Sequence, residues 1–518
     1  MVFTGEQPPE RFNMARYCLA PAPHRLRSKV ALKVFQGISQ QPARQWTYQE
    51  LLDDVSRLAG GLASLGLDPG SRILIRMDNC PEYAMLFFAA ISIGLVPIPA
   101  SSQLSGDEVS FLAQDSGASV IAVSPGVAIG ALPAGIIQLT MCDVQAMIEQ
   151  AARAPFADTN CNDPAYLIYT SGTTAKPKGV LHAHRAAWGR RPMYRGWYGL
   201  TAKDTMLHAG AFNWTYTLGV GLTDPWALGA TAVVYTGEKT ATGWPDLIRH
   251  SGATIFAAVP TLYRQILKYT DVDEHALGRL RHGLTAGEAL PPALARDWKA
   301  RTGRTLYEAF GMSELSTYIS CSPSVRPKPG SPGKPQAGRH IVILPVDEGE
   351  TPLVYGHVGV IAAHRSDPAL MLGYWNRPDE EADVMRGDWF CSGDLGSMDK
   401  DGYIRLAGRA DDMMNARGYR VSPVEVEAVL QSGQDVAEAA AVECEVREGV
   451  RIIVAFIVWQ GAAGDDDIRK AKLLAHAREH LAAYKVPGEI VTVAALPRTA
   501  NGKVMRAALR EGFAAARS

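Results

Sequence analysis

Apolar residues at helical spacing mark the first clear element of the chain. Leu51, Leu52, Val55, Leu58, Ala59, Leu62 and Leu65 recur at intervals of three and four, which predicts an amphipathic helix over 48–65. Thr47 stands three residues before Glu50, the spacing of a capping box. Leu67-Asp68-Pro69-Gly70 then turns the chain into a short apolar strand at 72–77. A helix over 81–93, a strand at 95–98, a helix near 105–116 and a strand at 119–123 follow. The stretch 83–100 is uncharged and long enough to suggest a membrane span, but Gly94, Pro97 and Pro99 interrupt it. A buried helix followed by a strand is expected there. Residues 1–45 show no periodicity and are expected to be irregular.

The same rhythm resumes downstream. Strands are expected at 231–235 and 254–258 with a helix at 244–251 between them, and another helix over 260–269. Residues 281–285 lead into a turn, Ala286-Gly287-Glu288-Ala289-Leu290-Pro291-Pro292, and a helix holding Trp298; 304–307 reaches the next strand end. From 323 to 363, proline and glycine become frequent around short β runs at 340–344 and 358–362, which reads as a small β subdomain. A polar, glycine-led stretch at 408–413 precedes a segment with its own pattern. That segment carries a helix from 424 to 430, strands at 438–445 and 451–459, a helix over 467–483, a strand at 489–494 and a last helix over 504–516. The fold class is therefore α/β: a large N-terminal body (1–409) of mainly parallel sheets layered with helices, plus the small β subdomain, and a small mobile C-terminal α+β domain (410–518).

Composition narrows the function classes. With 518 residues, 47% of them apolar and 20% charged, the chain has the makeup of a multidomain soluble enzyme. A net charge of −1 gives no support for nucleic-acid or acidic-membrane partners. Seven cysteines (Cys18, Cys80, Cys142, Cys161, Cys321, Cys391, Cys444) are scattered with no CxxC pair, which fits reduced cytoplasmic thiols better than disulfides or a zinc site. No apolar h-region follows the first residues, so no signal peptide is expected, and neither is membrane insertion. A homodimer is compatible with the sequence.

The densest chemistry lies at 168–184. Tyr169 closes a strand-like run and Gly179-Val180-Leu181 opens another. Between them stand the hydroxyl residues Thr170, Ser171, Thr173 and Thr174, the lysines Lys176 and Lys178, and Gly172. Such a loop can form an anion-binding nest of amides and hydroxyls, with the lysines adding charge for a polyphosphate. It is not a Walker A loop, because no Gly-Lys-Ser/Thr opens a helix at its end. Glycine, serine and threonine clusters are ordinary loops more often than phosphate sites.

The full string Tyr-Thr-Ser-Gly-Thr-Thr-Ala-Lys-Pro-Lys-Gly resembles the phosphate loop of the adenylate-forming family, which includes acyl-CoA synthetases, luciferases and peptide-synthetase adenylation domains. Ala175 replaces the family's usual glycine. Tyr307-Glu308-Ala309-Phe310-Gly311-Met312-Ser313-Glu314, read locally as a strand running into a glycine turn, is similar to the family's aromatic-Gly-Met-Thr-Glu motif. The resemblance implies that Glu314 coordinates Mg2+ on ATP, Ser313 meets the α-phosphate, Phe310 and Gly311 pack on adenine, and Gly287 and Glu288 line the adenine side. Trp389-Phe390-Cys391-Ser392-Gly393-Asp394 reads locally as an apolar element ending in a glycine turn, where an aspartate satisfying its own loop is the commoner outcome. It resembles the family's Thr-Gly-Asp, which implies Asp394 on the ribose with Arg409 beside it, and Asp411 as the hinge. Pro497, Thr499, Gly502 and Lys503 match the family's closing Pro-x-Thr-x-x-Gly-Lys, which implies that Lys503 bridges carboxylate and α-phosphate. Gly418, Tyr419 and Arg420 resemble the glycine segment along which the pantetheine arm of coenzyme A runs, with Asn415 departing from relatives nearby.

The implied function is an ATP-dependent carboxylic acid–CoA ligase using ATP, Mg2+ and coenzyme A. Thr170, Lys178, Glu314 and Lys503 would serve catalysis, and Ser171, Gly172, Thr173, Thr174 and Lys176 would hold phosphates. The acyl pocket would be formed by Trp214, Tyr216, Ala258, Ala309 and Met312, within the segments 212–216, 257–260, 283–285 and 309–312. No arginine or lysine is evident there to pair a second carboxylate, and Trp214, Tyr216 and Met312 suggest an apolar, flat-sided cavity. The overall string resembles benzoate- and other aryl-CoA ligases most, which implies a small benzoate-like acid as the partner. A short- or medium-chain fatty acid, or a carrier protein in place of CoA, are the alternatives. A luciferase-like oxygenase and a catalytically dead adenylate sensor stand further off, the latter because Glu314, Asp394 and Lys503 are all present.

Overall fold

The computed structural model describes residues 5–20, 26–170, 177–410, 412, 414–416, 419–447, 450–461, 465–481, 483, 485–498 and 504–517. Contacts divide the chain into two units: 1–340 with 364–388, and 341–363 with 389–518. The small β segment thus groups with the C-terminal chain, a different division from the 409/410 boundary expected from composition.

In the first unit the helix Tyr48–Ala63 starts as its sequence requires. Thr47 Oγ1 accepts from Glu50 N at 3.2 Å, and Glu50 Oε2 accepts from Thr47 N at 2.7 Å. Its inward face is Tyr48, Leu51, Val55, Leu58, Ala59 and Leu62. Two mid-helix glycines, normally costly by about 0.5–1 kcal/mol each, are explained by close packing. A Cβ on Gly60 would fall 1.7 Å from Ala152 O, and one on Gly61 2.5 Å from the Met147 side chain. The apolar stretch after Cys80 is the buried helix Pro81–Ser92 followed by the strand Val96–Ala100, as its glycine and prolines indicated. No helix among the described residues is long and apolar enough to cross a membrane.

Three sheets build this unit among the described residues. Val96–Ala100, Arg72–Arg76, Val120–Val123 and Ile137–Thr140 form a parallel sheet in that order. A nine-stranded sheet runs Lys334–Pro335, Ser316–Ser320, Thr305–Met312, His282–Thr285, Ile255–Ala257, Thr205–His208, Thr231–Tyr235, Val30–Phe35 and Arg44–Thr47. Its middle is parallel and its two ends are antiparallel. The third sheet pairs Pro164–Thr170, Lys178–Ala183 and Gly373–Tyr374, all antiparallel. The N-terminal 45 residues are not irregular: they supply the helix Met14–Leu19 and the strand Val30–Phe35. That strand pairs on both sides, so it lacks simple alternation, and Lys33 breaks its apolar run by reaching Ser251 O at 3.2 Å.

In the second unit Ile341–Leu344, Gly359–His364, Trp389–Met398 and Ile404–Arg409 lie side by side in one sheet. Farther along, Val436–Arg447 pairs antiparallel with Val450–Trp459, which pairs parallel with Glu489–Thr492. Period-two alternation sorts this sheet's residues into two cores. Ala439, Ala441, Ile453 and Ala455 pack with Val426 and Leu473, whereas Ala440, Val442, Val454 and Phe456 pack with Leu509 and Phe513. The helices Pro423–Gln431, Asp466–His480 and Arg506–Ala515 cover them.

Candidate active site

Glu314 sits on the connection between Thr305–Met312 and Ser316–Ser320, which pair antiparallel with Met312 opposite Ser316. The turn is not at Gly311, as the local sequence suggested. Gly311 lies inside the strand, where a Cβ would fall 2.3 Å from Ser316 O and 2.4 Å from Thr317 Cα. Close cross-strand approach, rather than a bend, is what requires glycine there. The reversal comes at 313–315, followed by Ser316 at φ +65°. Four groups fix it. His182 Nε2 donates to Ser313 O at 2.8 Å, Met371 N donates to Glu314 O at 2.8 Å, and the Tyr374 hydroxyl donates to Glu314 Oε1 at 2.9 Å. Arg190 Nη1 donates to Ser316 Oγ at 2.5 Å. Because a carbonyl only accepts, the His182 proton is on Nε2, and burial holds the ring neutral by lowering its pKa to about 3. Arg190 is itself gripped by Asp224 Oδ1 and Oδ2 at 2.8 and 2.7 Å.

Thr170 and Lys178 face each other at the ends of their paired strands. Ser171, Gly172, Thr173, Thr174 and Lys176 lie outside the described residues. The Lys178 ammonium pairs with the Glu380 carboxylate and lies 5.3 Å from the centre of the Tyr374 ring. Tyr374, Arg377, Glu380 and Asp115 were not found by sequence reasoning. The run Arg377-Pro378-Asp379-Glu380-Glu381 looks like an ordinary solvated helix start, and only Gly373-Tyr374-Trp375 before it gives an unusual local signal.

In the loop expected to line the adenine, Gly287 adopts φ +91°, which explains the glycine, and Glu288 Oε2 accepts from Thr261 Oγ1 at 3.1 Å. Leu290 N at the end of the same loop donates to Glu308 Oε1 at 3.0 Å, and burial pushes the Glu308 carboxyl up to about 7. The Phe310 ring meets Tyr318 edge-on at 5.6 Å.

The expected acyl-pocket residues divide. Tyr216 stacks on Trp197 at 5.8 Å and meets His208 edge-on at 4.3 Å, in one cluster with Ala257, Leu284 and Ala309. Ala258 packs instead with Phe256, Tyr263 and Trp298, because successive residues at the strand end face opposite sides. Trp214 caps the short helix Thr215–Leu218 and is half-buried, as is Met312. A cavity of about 620 Å³ beside Phe12, Tyr17 and Trp188 is lined by none of the expected site residues.

In the second unit Asp394 stands opposite Arg409, with Oδ2 and Nη1 3.6 Å apart. The strand does not end at Gly393 but bends there, at φ +72°, and runs on to Met398 because Ile404–Arg409 continues to pair with it. Ser392 Oγ donates to Ile361 O at 2.8 Å and accepts from Asp394 N at 3.1 Å, which fixes the backbone behind the carboxylate. Asp412 pairs with Arg506 and Arg510 at 3.4 and 3.5 Å. Asp411, Gly418 and Lys503 lie outside the described residues, as do the side chains of Tyr419 and Arg420.

Comparison with known proteins agrees with these motifs. Residues 21–375 match the model of the AMP-binding enzyme family, and 425–503 match that of the AMP-binding enzyme C-terminal domain. The chain is 32% identical to benzoate–CoA ligase of Thauera aromatica over 97% of its own length and 96% of that protein. A benzoate CoA ligase from Burkholderia xenovorans LB400 superposes with TM-score 0.84 at 30% identity, covering 96% of this chain and 100% of that one. The anthranilate CoA ligase solved with anthranoyl-AMP superposes with TM-score 0.87 at 27% identity, covering 98% and 99%. The chain belongs to the AMP-binding enzyme family.

Proposed function

We propose that this AMP-binding enzyme is an ATP-dependent acid–CoA ligase acting on an aromatic, benzoate-like acid. The observation that carries the reading is the Glu314 turn, a reversal held by four separate contacts whose carboxylate accepts from the Tyr374 hydroxyl and is joined through that ring to Lys178 at the base of the phosphate loop. The aromatic class is supported by the likeness to benzoate–CoA ligases and by the flat Trp197–Tyr216 wall beside the small residues Ala257 and Ala309.

The reaction begins with the acid's carboxylate oxygen attacking the α-phosphorus of ATP, while the bond to pyrophosphate breaks. Both partners are anions, so the protein's task is electrostatic. Among the described residues no three His, Cys, Asp or Glu side chains converge on a metal site. One carboxylate suffices for Mg2+, which takes its remaining ligands from nucleotide phosphates and water. Glu314 would hold that ion, which would supply positive charge to the phosphates. In this reading Thr170, Ser171, Gly172, Thr173, Thr174 and Lys176 cradle the phosphates with Lys178 at the base of their loop, Ser313 meets the α-phosphate, and Phe310, Gly311, Gly287 and Glu288 bound the adenine. Asp394 and Arg409 hold the ribose. Trp214, Tyr216, Ala309 and Met312 bound the acid. Lys503 meets the charge that builds between the reactants, a role supported by the sequence pattern alone. The CoA thiolate then attacks the acyl carbonyl and AMP departs. Gly418, Tyr419 and Arg420 would guide the thiol after the C-terminal domain turns about Asp411. Cytoplasmic residence, consistent with seven free cysteines, and a homodimer complete the reading.

The test is pyrophosphate release with MgATP across benzoate, hydroxy- and aminobenzoates, phenylacetate, butyrate, hexanoate and octanoate, with and without CoA. CoA-dependent turnover peaking on benzoates supports the whole reading. A peak on butyrate or hexanoate overturns the acid class and keeps the chemistry. Release indifferent to CoA points to a carrier protein instead.

A further inference from the structure

The two strand ends that bracket the phosphate loop are tied to one short segment, 374–380, whose charged residues the ligase reading leaves without a role. On the incoming strand, the Tyr169 hydroxyl donates to Asp115 Oδ2 at 2.7 Å. The other Asp115 oxygen accepts from Arg377 Nη2 at 3.0 Å, and the Asp115 carbonyl accepts from Trp375 Nε1 at 3.1 Å. On the outgoing strand, Lys178 pairs with Glu380, whose other oxygen lies 3.5 Å from Arg377 Nε. The Trp375 amide donates to Gly179 O at 2.8 Å, joining the same segment to the outgoing backbone. Arg377 is therefore the shared centre, with one strand end anchored through Asp115 and the other through Glu380.

Exposure decides how much this arrangement can do. The Lys178 and Asp115 side chains are only 20% and 15% exposed, and those of Arg377 and Glu380 29% and 32%. Pairs this sheltered are screened less than surface pairs, and loss of one member leaves a charge that water reaches poorly. The aromatic face of Tyr374 under Lys178 further restricts where that ammonium can go. A lysine so engaged differs from one left free to meet a phosphate.

We propose that Asp115, Arg377, Glu380 and Lys178 form a clamp that sets the spacing of the two strand ends for the ATP phosphates. Within it, Lys178 is a positioning residue acting through Glu380, rather than a direct phosphate ligand. The inference rests on the ligase reading for its purpose, and on the contacts above for its existence.

The experiment uses the full chain with Lys178→Met, Glu380→Gln, Arg377→Met and the double variant Lys178→Met/Glu380→Gln. Binding of a fluorescent ATP analogue with MgCl2, the KM for ATP against kcat, and hydrogen exchange of the strands Pro164–Thr170 and Lys178–Ala183 are measured. Each single variant is expected to weaken analogue binding about fivefold to tenfold, and the double variant no further than the singles. The KM for ATP is expected to rise while kcat at saturating ATP moves less than about twofold, the pattern of lost uniform binding. Exchange in both strands quickens, and Glu380→Asp restores most of the binding. Glu380→Gln that leaves binding unchanged or tightens it, while Lys178→Met weakens it, overturns the clamp and makes Lys178 a direct ligand. Additive losses in the double variant do the same. Should Lys178→Met not fold, Lys178→Arg with Glu380→Gln and Arg377→Met decides the matter. If the wild-type chain releases no pyrophosphate with any acid, the ligase reading falls by itself, and the exchange comparison still settles whether the clamp exists.

Discussion

Removing the guanidinium of Arg190 tests the frame behind Glu314. Arg190 is 5% exposed and Asp224 not at all, and the two share a bidentate contact at 2.7 and 2.8 Å. The Tyr198 hydroxyl adds a third bond to Asp224 at 2.7 Å, and Arg190 Nη1 reaches Ser316 Oγ in the Glu314 turn. Burial pulls the Arg190 pKa down, but Asp224 and Tyr198 outweigh it and leave the guanidinium's pKa raised. Gly219 is part of the seat: a Cβ there would fall 2.0 Å from Arg190 Nη2.

Arg190→Met leaves Asp224 buried with a single hydroxyl donor. Breaking such a pair costs about 3–5 kcal/mol, and the lost bond to Ser316 adds about 1 kcal/mol. Arg190→Met/Asp224→Asn removes the stranded charge and should recover more than half of the loss, since no ion then remains to desolvate. The assay is urea unfolding followed by tryptophan fluorescence, paired with pyrophosphate release at a temperature where every variant is folded. The single variant should also release pyrophosphate more slowly, because the turn that aims Glu314 loses its support at Ser316. A single variant within about 1 kcal/mol of wild type, or a double variant no better than the single, would refute the reasoning.

Three further outcomes follow from the same structure. Glu314→Gln should keep the contact with Tyr374 through its amide oxygen yet slow adenylation by about a hundredfold or more, since the charge is lost while the shape is kept; unchanged pyrophosphate release would remove Glu314 from the chemistry. Lys503→Ala should block adenylation far more than thioester formation from a preformed acyl-adenylate, measured by following each half-reaction alone, and equal losses would count against the assigned role. Burial lowers the pKa of His182 and His208 to about 3 and of His184 and His282 to about 4. These groups take up protons in the unfolded chain near pH 6.5 but not in the folded one, so their stabilisation is whole above about pH 6.5 and is lost as pH falls toward the folded values, by up to ~1.4 kcal/mol per unit for each. Urea midpoints that hold steady from pH 7.5 to 5 would contradict this.

Long amphipathic segments and the family's motifs were legible because each is a local statement. The helix Tyr48–Ala63 announces itself by period and cap, and the sequence around Glu314 by its string of residue types. Two kinds of feature were not legible. Val30–Phe35 pairs with strands on both sides, so alternation could not mark it, and its neighbours lie about 200 positions on at Thr231–Tyr235 and just downstream at Arg44–Thr47. Gly311 and Gly393 read as turns because glycine usually marks one, yet both lie in continuing strands. Gly311 is required by a neighbouring strand's backbone and Gly393 by a bend at φ +72°, and neither cause is local in sequence. Asp115 and Arg377 are 262 positions apart and meet only when the third sheet assembles, so no window of sequence could have paired them.

The pairing of charges bears on how two anions can be brought together. In the first unit Lys178 is matched by Glu380 and Arg190 by Asp224; in the second, Arg409 faces Asp394. Cations held this way do not act as free counter-charges for a polyphosphate. They fix backbone and carboxylates in place, and under the proposed function the nucleotide's charge would be met by amides and hydroxyls, by the Mg2+ that Glu314 would hold, and by Lys503 for one step. Fixed dipoles need no rearrangement as charge develops on the α-phosphate, whereas free lysines on flexible stems would have to be ordered each time. Under the proposed function a chain of net charge −1 would handle ATP and CoA without a strongly basic surface, because the stabilisation would be local rather than summed over the whole protein.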